Sequence, residues 1–239
     1  MTFYLIGLGL DVRSISLEAL ETIKNCQEIY LENYTTDFPY HIKEIEGIIN
    51  KTIKPLNRED VESEKLIEQS KDRDIALLVY GNPLAATTHI QLIIKARKEK
   101  INYKVIHAES ILTSISETGL QLYKFGKTAS MPKFEENYKP DSFLDIILQN
   151  EKIKAHTLLL TDISLSCKKA LKQLQETCKK RNVSIDKLII CSRIGTKDSK
   201  IYYDTPEQLS KQEIKFPFCI IIPSELHFIE KEALEILAQ

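Results

Sequence analysis

The 239-residue sequence is short of features that would assign it quickly. Basic and acidic residues nearly cancel, 33 against 34, and are interspersed. No stripe of one sign is present for a nucleic-acid backbone or a membrane surface, so neither is expected as a partner. Apolar runs fall short of the roughly 18 residues that a membrane span needs. Met1 leads directly into the apolar "FYLIGLGL" with no basic leader, so a soluble, unexported, cytoplasmic protein is expected. The five cysteines (Cys26, Cys167, Cys178, Cys191, Cys219) form no C-x-x-C pair and have no histidine at ligand spacing. Reduced thiols are expected, with no metal site. The usual catalytic signatures are missing too. "GLGLDV" carries Val12 where a dinucleotide fingerprint needs its third glycine, and no G-x-x-x-x-G-K-S/T, G-x-S-x-G or H-E-x-x-H occurs.

What is present is a regular alternation. Strand-like "TFYLIGLG", "QEIYLEN", "TIKPL", "DIALLVYG" and "YKVIHA" are separated by helical patterns at 16–26, 37–50, 60–70 and 84–100. Strands that are apolar almost throughout, alternating with helices, imply βαβ crossovers and a mainly parallel sheet covered on both faces. In "YGNPLAATTHIQL", Asn82 reads as a helix cap, Pro83 suits a first turn, and Ala85 and Ala86 favour helix. After about residue 108 the pattern changes. A helical "ESILTSISETGL", an extended "FGKTASM" and a polar loop over 132–142 lead into helix "SFLDIILQN", strand "HTLLLTD", helix "CKKALKQLQETCKK" and strand "KLIICSRIG". A short strand "KIYYD", the helix start "TPEQL", strand "PFCIIIP" and a terminal helix from His227 complete the chain, a pattern that suggests a mixed sheet. Two α/β domains are therefore expected, 1–107 and 108–239.

Only seven glycines occur, and Gly7, Gly9, Gly81 and Gly195 directly follow apolar strands. Open α/β sheets bind ligands beyond the carboxyl ends of their strands, so these glycines favour a cleft there. The absence of an acid, base or nucleophile constellation suits methyl transfer. A methyl group on a sulfonium is already electrophilic, and the protein's task is to align donor and acceptor in a dry site.

The segments "FYLIGLGL", "GNPLAATTH", "VIHAESI", "TGLQLYKFGKT", "HTLLLTDI", "SRIG" and "PSELHFIEKEAL" occur in that order over nearly the whole chain. Together they resemble the diphthine synthase family of the tetrapyrrole-methylase superfamily. "TGLQLYKFGKT" and the "ATTH" continuation distinguish that family within the superfamily. The resemblance implies two α/β domains with a cofactor cleft between them, S-adenosyl-L-methionine as cofactor, and a homodimer. The implied reaction methylates the amino group of a 3-amino-3-carboxypropyl-modified histidine on elongation factor 2. Carried over residue by residue, it implies cofactor contacts at Leu10, Asn82, Ala85, Ser110, Ile111, Thr161, Ile194 and His227. Taken alone, Leu10, Ile111 and Ile194 also read as core residues, Ser110 as an N-cap and His227 as a helix-start residue. The family's loop usually reads G-D-P; Asn82 replaces the acid and loses its charge, and Thr161 stands where an apolar residue is expected.

No catalytic base is assigned. Glu109 and Asp162 are the candidate proton acceptors, and both also read as surface or capping acids. Two alternatives remain open at this level: another methyltransferase of the superfamily acting on a corrinoid or sirohaem precursor or on ribosomal RNA, and a non-enzymatic relative that binds the cofactor. The first would favour an arginine-rich cleft, but only six arginines occur, at 13, 58, 73, 97, 181 and 193.

Overall fold

Five short extended segments in the first part of the chain become the strands of one sheet. In the computed structural model, which describes residues 1–63 and 65–238, the order is β1 (Thr2–Gly7), α1 (Leu17–Asn25), β2 (Glu28–Glu32), α2 (Ile42–Ile49), β3 (Lys54–Leu56), α3 (Arg58–Glu62), α4 (Lys65–Gln69), β4 (Ile75–Val79), α5 (Ile90–Lys98) and β5 (Asn102–Ile106). Glu64, within the helix expected over 60–70, and Gln239, at the end of the expected terminal helix, lie outside the described residues. The strands are ordered β3-β2-β4-β1-β5 and every pairing is parallel. Each crossover carries helices, which bury the sheet on both sides. Alternate residues of β1 show this: Ile6 joins one core cluster with Ala19, Ile23 and Ile45, while Phe3 and Leu5 join another with Leu92, Ile93 and Ala96. Ser16 starts α1 by accepting a hydrogen bond from the Ala19 N–H at 3.1 Å, which satisfies one of the orphan donors of the first turn.

The rest of the chain builds a second sheet: α6 (Ile111–Ser114), β6 (Ala129–Met131), α7 (Ser142–Lys152), β7 (Thr157–Thr161), α8 (Cys167–Lys180), β8 (Leu188–Ser192), β9 (Lys200–Asp204), α9 (Pro206–Leu209), β10 (Phe218–Ile222) and α10 (Phe228–Leu237). Its order is β6-β7-β10-β8-β9, with β6–β7 parallel and the other three pairings antiparallel. The fold is α/β, with a parallel sheet followed by a mixed one. Contacts divide the chain into two compact units, Met1–Leu112 and Thr113–Gln239. The five cysteines are buried and free. Among the described residues no helix is long and apolar enough to cross a membrane.

Two expected helices are shorter than their patterns suggest. The helix expected from Leu84 begins only at Ile90, and Ala86 has φ 57°, outside the helical region. Side chains divert the backbone: Asn82 Oδ1 accepts from the Leu84 N–H at 3.2 Å, and the Thr87 hydroxyl donates to the Pro83 carbonyl at 2.8 Å. Such local bonds compete with helical ones, and they outweigh the helix preference of two alanines. Asn82 is therefore a turn residue and caps no helix. Likewise the pattern over 109–120 yields only α6 and a 3₁₀ turn over Ile115–Thr118, which ends at Gly119 in the left-handed region at φ 82°.

Candidate functional site

β4, β1 and β5 are neighbours in one parallel sheet, so their exit loops must meet at one edge. They meet through backbone. The Gly81 N–H donates to the Gly9 carbonyl at 2.9 Å, and the Gly9 N–H returns a bond to the Gly81 carbonyl at 3.3 Å. A Cβ on Gly7 would lie 2.6 Å from the Gly81 oxygen and 2.8 Å from both the Ala108 Cβ and the Pro83 Cδ. The glycine at the end of β1 therefore serves the close approach of the chain's own loops. Gly81 differs: a Cβ there would meet nothing nearer than 3.8 Å, the neighbours being the Glu109 carbonyl and a Leu10 methyl.

Asn82 ties this loop to the exit of β5. Its Nδ2 lies 3.1 Å from the Ala108 carbonyl and 3.1 Å from His107 Nδ1, while Oδ1 takes the Leu84 N–H. A carbonyl can only accept, so the amide nitrogen must face Ala108. A carboxylate at this position would set oxygen against oxygen. The Asn82 amide is thus a cross-link between two loops.

The other expected residues of the first unit follow the exits of the same three strands. Leu10 is buried, and its carbonyl accepts from the Tyr80 hydroxyl at 3.1 Å. Ala85 is half-buried and donates its N–H to the Asn82 carbonyl at 3.1 Å. Buried Ser110 accepts the Leu112 N–H at 3.2 Å, a capping bond at the start of α6, where Ile111 is half-buried. Tyr80 and Ala108, which help hold this edge, carry no sequence signal that marks them out.

In the second unit the register separates the expected residues. Cys219 of β10 pairs with Leu160 of β7, and Phe218 with Ser192 of β8. The exits of β7 and β8 therefore lie at the same end of the sheet. Half-buried Thr161 and buried Ile194 both follow there. His227 comes after β10, whose exit is at the opposite end. It caps α10, where its Nδ1 accepts the Ile229 N–H at 3.4 Å.

Beside His227 lies a buried charged cluster. Glu230 is 0% exposed and accepts from the Gln121 N–H at 3.0 Å, the His227 N–H at 2.8 Å, His156 Nε2 at 3.2 Å and the Lys124 ammonium. His156 Nδ1 accepts the Ser224 N–H at 2.9 Å, so in the neutral ring the proton is on Nε2 and points at Glu230. Burial pushes the Glu230 carboxyl up, but Lys124 and the other donors outweigh it and bring it down to about 2. Burial also lowers His156, against the pull of Glu230. Gln121 and Lys124 both belong to "TGLQLYKFGKT", which this cluster fastens to α10.

The candidate acids and the arginines are engaged locally. Asp162 accepts the Ile163 N–H at 2.9 Å and the Lys133 N–H at 3.2 Å, a turn-capping role, and Glu109 is exposed. Arg13, Arg58, Arg73, Arg181 and Arg193 pair with Asp11, Glu62, Glu28, Asp145 and Asp198, and Arg97 bonds the Tyr103 hydroxyl at 2.7 Å.

A parallel sheet followed by a mixed one, with glycine-bridged loops at the strand ends of the first, defines the class. The family of tetrapyrrole (corrin/porphyrin) methylases matches residues 2–210, and the chain belongs to that family. Its place within the family is with the diphthine synthases. The chain is 39% identical over 246 residues to the diphthine synthase of Methanococcus maripaludis, covering 97% of this chain and 96% of that one. It is 37% identical over 266 residues to the diphthine methyl ester synthase of Schizosaccharomyces pombe, at 99% and 94% coverage. Among solved structures, a diphthine synthase superposes with TM-score 0.92 at 30% identity, over 100% of this chain and 96% of that one. A putative diphthine synthase from Entamoeba histolytica gives 0.90 at 30% identity, over 100% and 98%.

Proposed function

We propose that this protein is an S-adenosyl-L-methionine-dependent methyltransferase of diphthamide biosynthesis. Its substrate is elongation factor 2, whose 3-amino-3-carboxypropyl-histidine it methylates on the amino group to give diphthine. It works in the cytoplasm as a homodimer. The observation that carries this reading is the near full-length similarity to diphthine synthases. The engagement of all six arginines with the chain's own residues also supports it, since a polyanionic tetrapyrrole substrate would favour an arginine-rich cleft.

The residues present fit the cofactor. Beside Gly81 a leucine methyl and a carbonyl oxygen lie next to each other, an apolar and a polar group of the kind that a ligand with an apolar chain and polar ends would meet. When bound, S-adenosylmethionine supplies a methyl group already activated on a sulfonium. Leu10, Asn82, Ala85, Ser110 and Ile111 in the first unit are its proposed contacts, as are, in the second, Thr161 and Ile194 at one end of the sheet and His227 beyond the other. Asn82, with its amide spent on Ala108, brings no negative charge to the positively charged donor. The small Ala85 leaves room beside the strand end. The work left to the chain is orientation and exclusion of water, with no side chain forming a covalent intermediate.

The test is to incubate the protein with S-adenosylmethionine and an elongation factor 2 carrying the unmethylated precursor side chain, then weigh the product by mass spectrometry. Increments of one methyl mass support the proposal and count the transfers. An unchanged mass, with transfer instead to a corrinoid precursor, overturns it.

A further inference from the structure

The loop that carries Asn82 and Ala85 is held from below by buried polar groups that the proposed function does not use. Glu32 ends β2, next to β4 in the sheet, and is 0% exposed; His89 precedes α5 and is 2% exposed. His89 Nδ1 lies 3.1 Å from the Pro83 carbonyl. The carbonyl can only accept, so Nδ1 carries a hydrogen and, in the neutral ring, Nε2 is a lone pair. That lone pair faces the Tyr34 hydroxyl at 3.5 Å and Glu32 Oε2 at 3.6 Å. Glu32 Oε1 accepts from the Thr35 hydroxyl at 2.5 Å, but Oε2 has no hydrogen-bond partner among the described residues.

A buried carboxylate with one oxygen unpartnered is costly. A carboxylic acid protonated on Oε2 lowers the cost: His89 Nε2, which the Tyr34 hydroxyl also faces, is an acceptor just beyond hydrogen-bond distance at 3.6 Å, and a small closing movement brings the O–H onto it. Burial acts the same way on both groups, pushing Glu32 up and His89 down toward their neutral forms. The charged groups that act on the pair are Arg58 and Glu62 of α3, which bond each other at 3.6 Å. The titratable Tyr34 hydroxyl is pushed up by burial to about 12 and stays a phenol. Pro83 receives a second donor, the Thr87 hydroxyl, so two side chains from the end of the "PLAATTH" segment close on the carbonyl of its first residue.

We propose that Glu32 and His89 are positioning residues: the Glu32 acid donates to His89 Nε2, His89 Nδ1–H donates to Pro83, and this relay holds the 82–87 loop in its cofactor-ready form. Its link to the cofactor rests on the function proposed above. Ionising Glu32 removes the donated hydrogen, so the loop loosens as pH rises and cofactor affinity falls with it. A glutamine at 32 supplies a permanent N–H donor and frees the loop from this dependence.

The test uses the full-length protein and S-adenosylmethionine itself. Calorimetric affinity is measured from mildly acidic to alkaline pH for wild type, Glu32→Gln and Glu32→Ala, together with KM and kcat and the ¹⁵N spectrum of labelled histidine. Wild-type affinity should fall as pH rises, Glu32→Gln should hold the acid-limb value throughout, and Glu32→Ala should bind about tenfold more weakly with kcat retained at saturation. The His89 resonances should report Nδ1–H with a bare Nε2. An imidazolium or the opposite tautomer overturns the relay, and so does a Glu32→Gln profile that follows the wild type. If wild type binds no S-adenosylmethionine, the proposed function fails. The histidine spectrum, together with faster amide exchange at Leu84–Ala86 in Glu32→Ala or its absence, then still decides for or against the relay. If Glu32→Ala does not fold, Glu32→Gln and the spectrum decide alone.

Discussion

Replacing Glu230 with glutamine tests how the second unit is held together. Four donors converge on the two Glu230 oxygens, from Gln121, Lys124, His156 and His227. Glutamine offers one acceptor oxygen and an N–H₂ group that faces donors, and it leaves the Lys124 ammonium without its counter-charge. The fall of the carboxyl from an ordinary 4.5 to about 2 corresponds to about 3 kcal/mol. Glu230 is 0% exposed, but the Lys124 side chain is 22% exposed and partly hydrated, so about 2–3 kcal/mol is expected. Because the folded carboxyl lies below its ordinary value, this contribution is complete above about 4.5 and drains away as acid titrates the group toward about 2. Urea titrations followed by far-UV circular dichroism, for wild type and variant at a series of pH values, measure it directly. The stability gap should be full at neutral pH and close as the solution is acidified through that window. Equal stability at neutral pH, or a gap that persists in acid, would mean that the charge of Glu230 does not hold these four donors together.

Three further substitutions probe the first unit. Gly7→Ala forces a methyl to within 2.6 Å of the Gly81 carbonyl oxygen and should cost about 3 kcal/mol, seen as a lower midpoint of thermal unfolding; an unchanged midpoint would mean the loops are not packed as described. Asn82→Asp sets a carboxylate against the Ala108 carbonyl, so S-adenosylmethionine affinity measured by calorimetry should drop several-fold at neutral pH. It should recover in acid, where a protonated carboxyl can again donate; wild-type affinity at neutral pH would dismiss the cross-link. Ser16→Ala removes the cap of α1 at a cost of about 1 kcal/mol, measurable in the same urea titrations, and a loss below a few tenths would show the cap to be idle.

The alternation of apolar runs with helical patterns was enough to read the parallel sheet, because its central strands, covered on both faces, are apolar almost throughout. β4, "IALLV", is buried at every position. The polar loops resisted the same reading. Ala85 and Ala86 promise helix by propensity, yet Asn82, Thr87 and His89 take the backbone bonds that a helix would have used. Glu32 is hidden for a related reason. Alternation along β2 places it with Glu28 and Tyr30, which are half-buried, but at the end of the strand the neighbouring elements close over it completely. In the second unit His227 is readable as a helix start, whereas its neighbour Glu230 looks like one more surface acid of an amphipathic helix. Only the fold brings Lys124 and His156 to it, from 106 and 74 residues away. Sequence spacing reports what lies within a turn or a strand and is silent on such distant partners.

The proposed methyl transfer to a modified histidine of elongation factor 2 can be put to a competition experiment. The protein is given isotope-labelled S-adenosylmethionine with equal amounts of elongation factor 2 bearing the 3-amino-3-carboxypropyl-histidine and of a corrinoid precursor, and both products are weighed. The label should appear on the modified histidine of the factor and nowhere on the corrinoid. Label on the corrinoid with none on the factor would contradict the account.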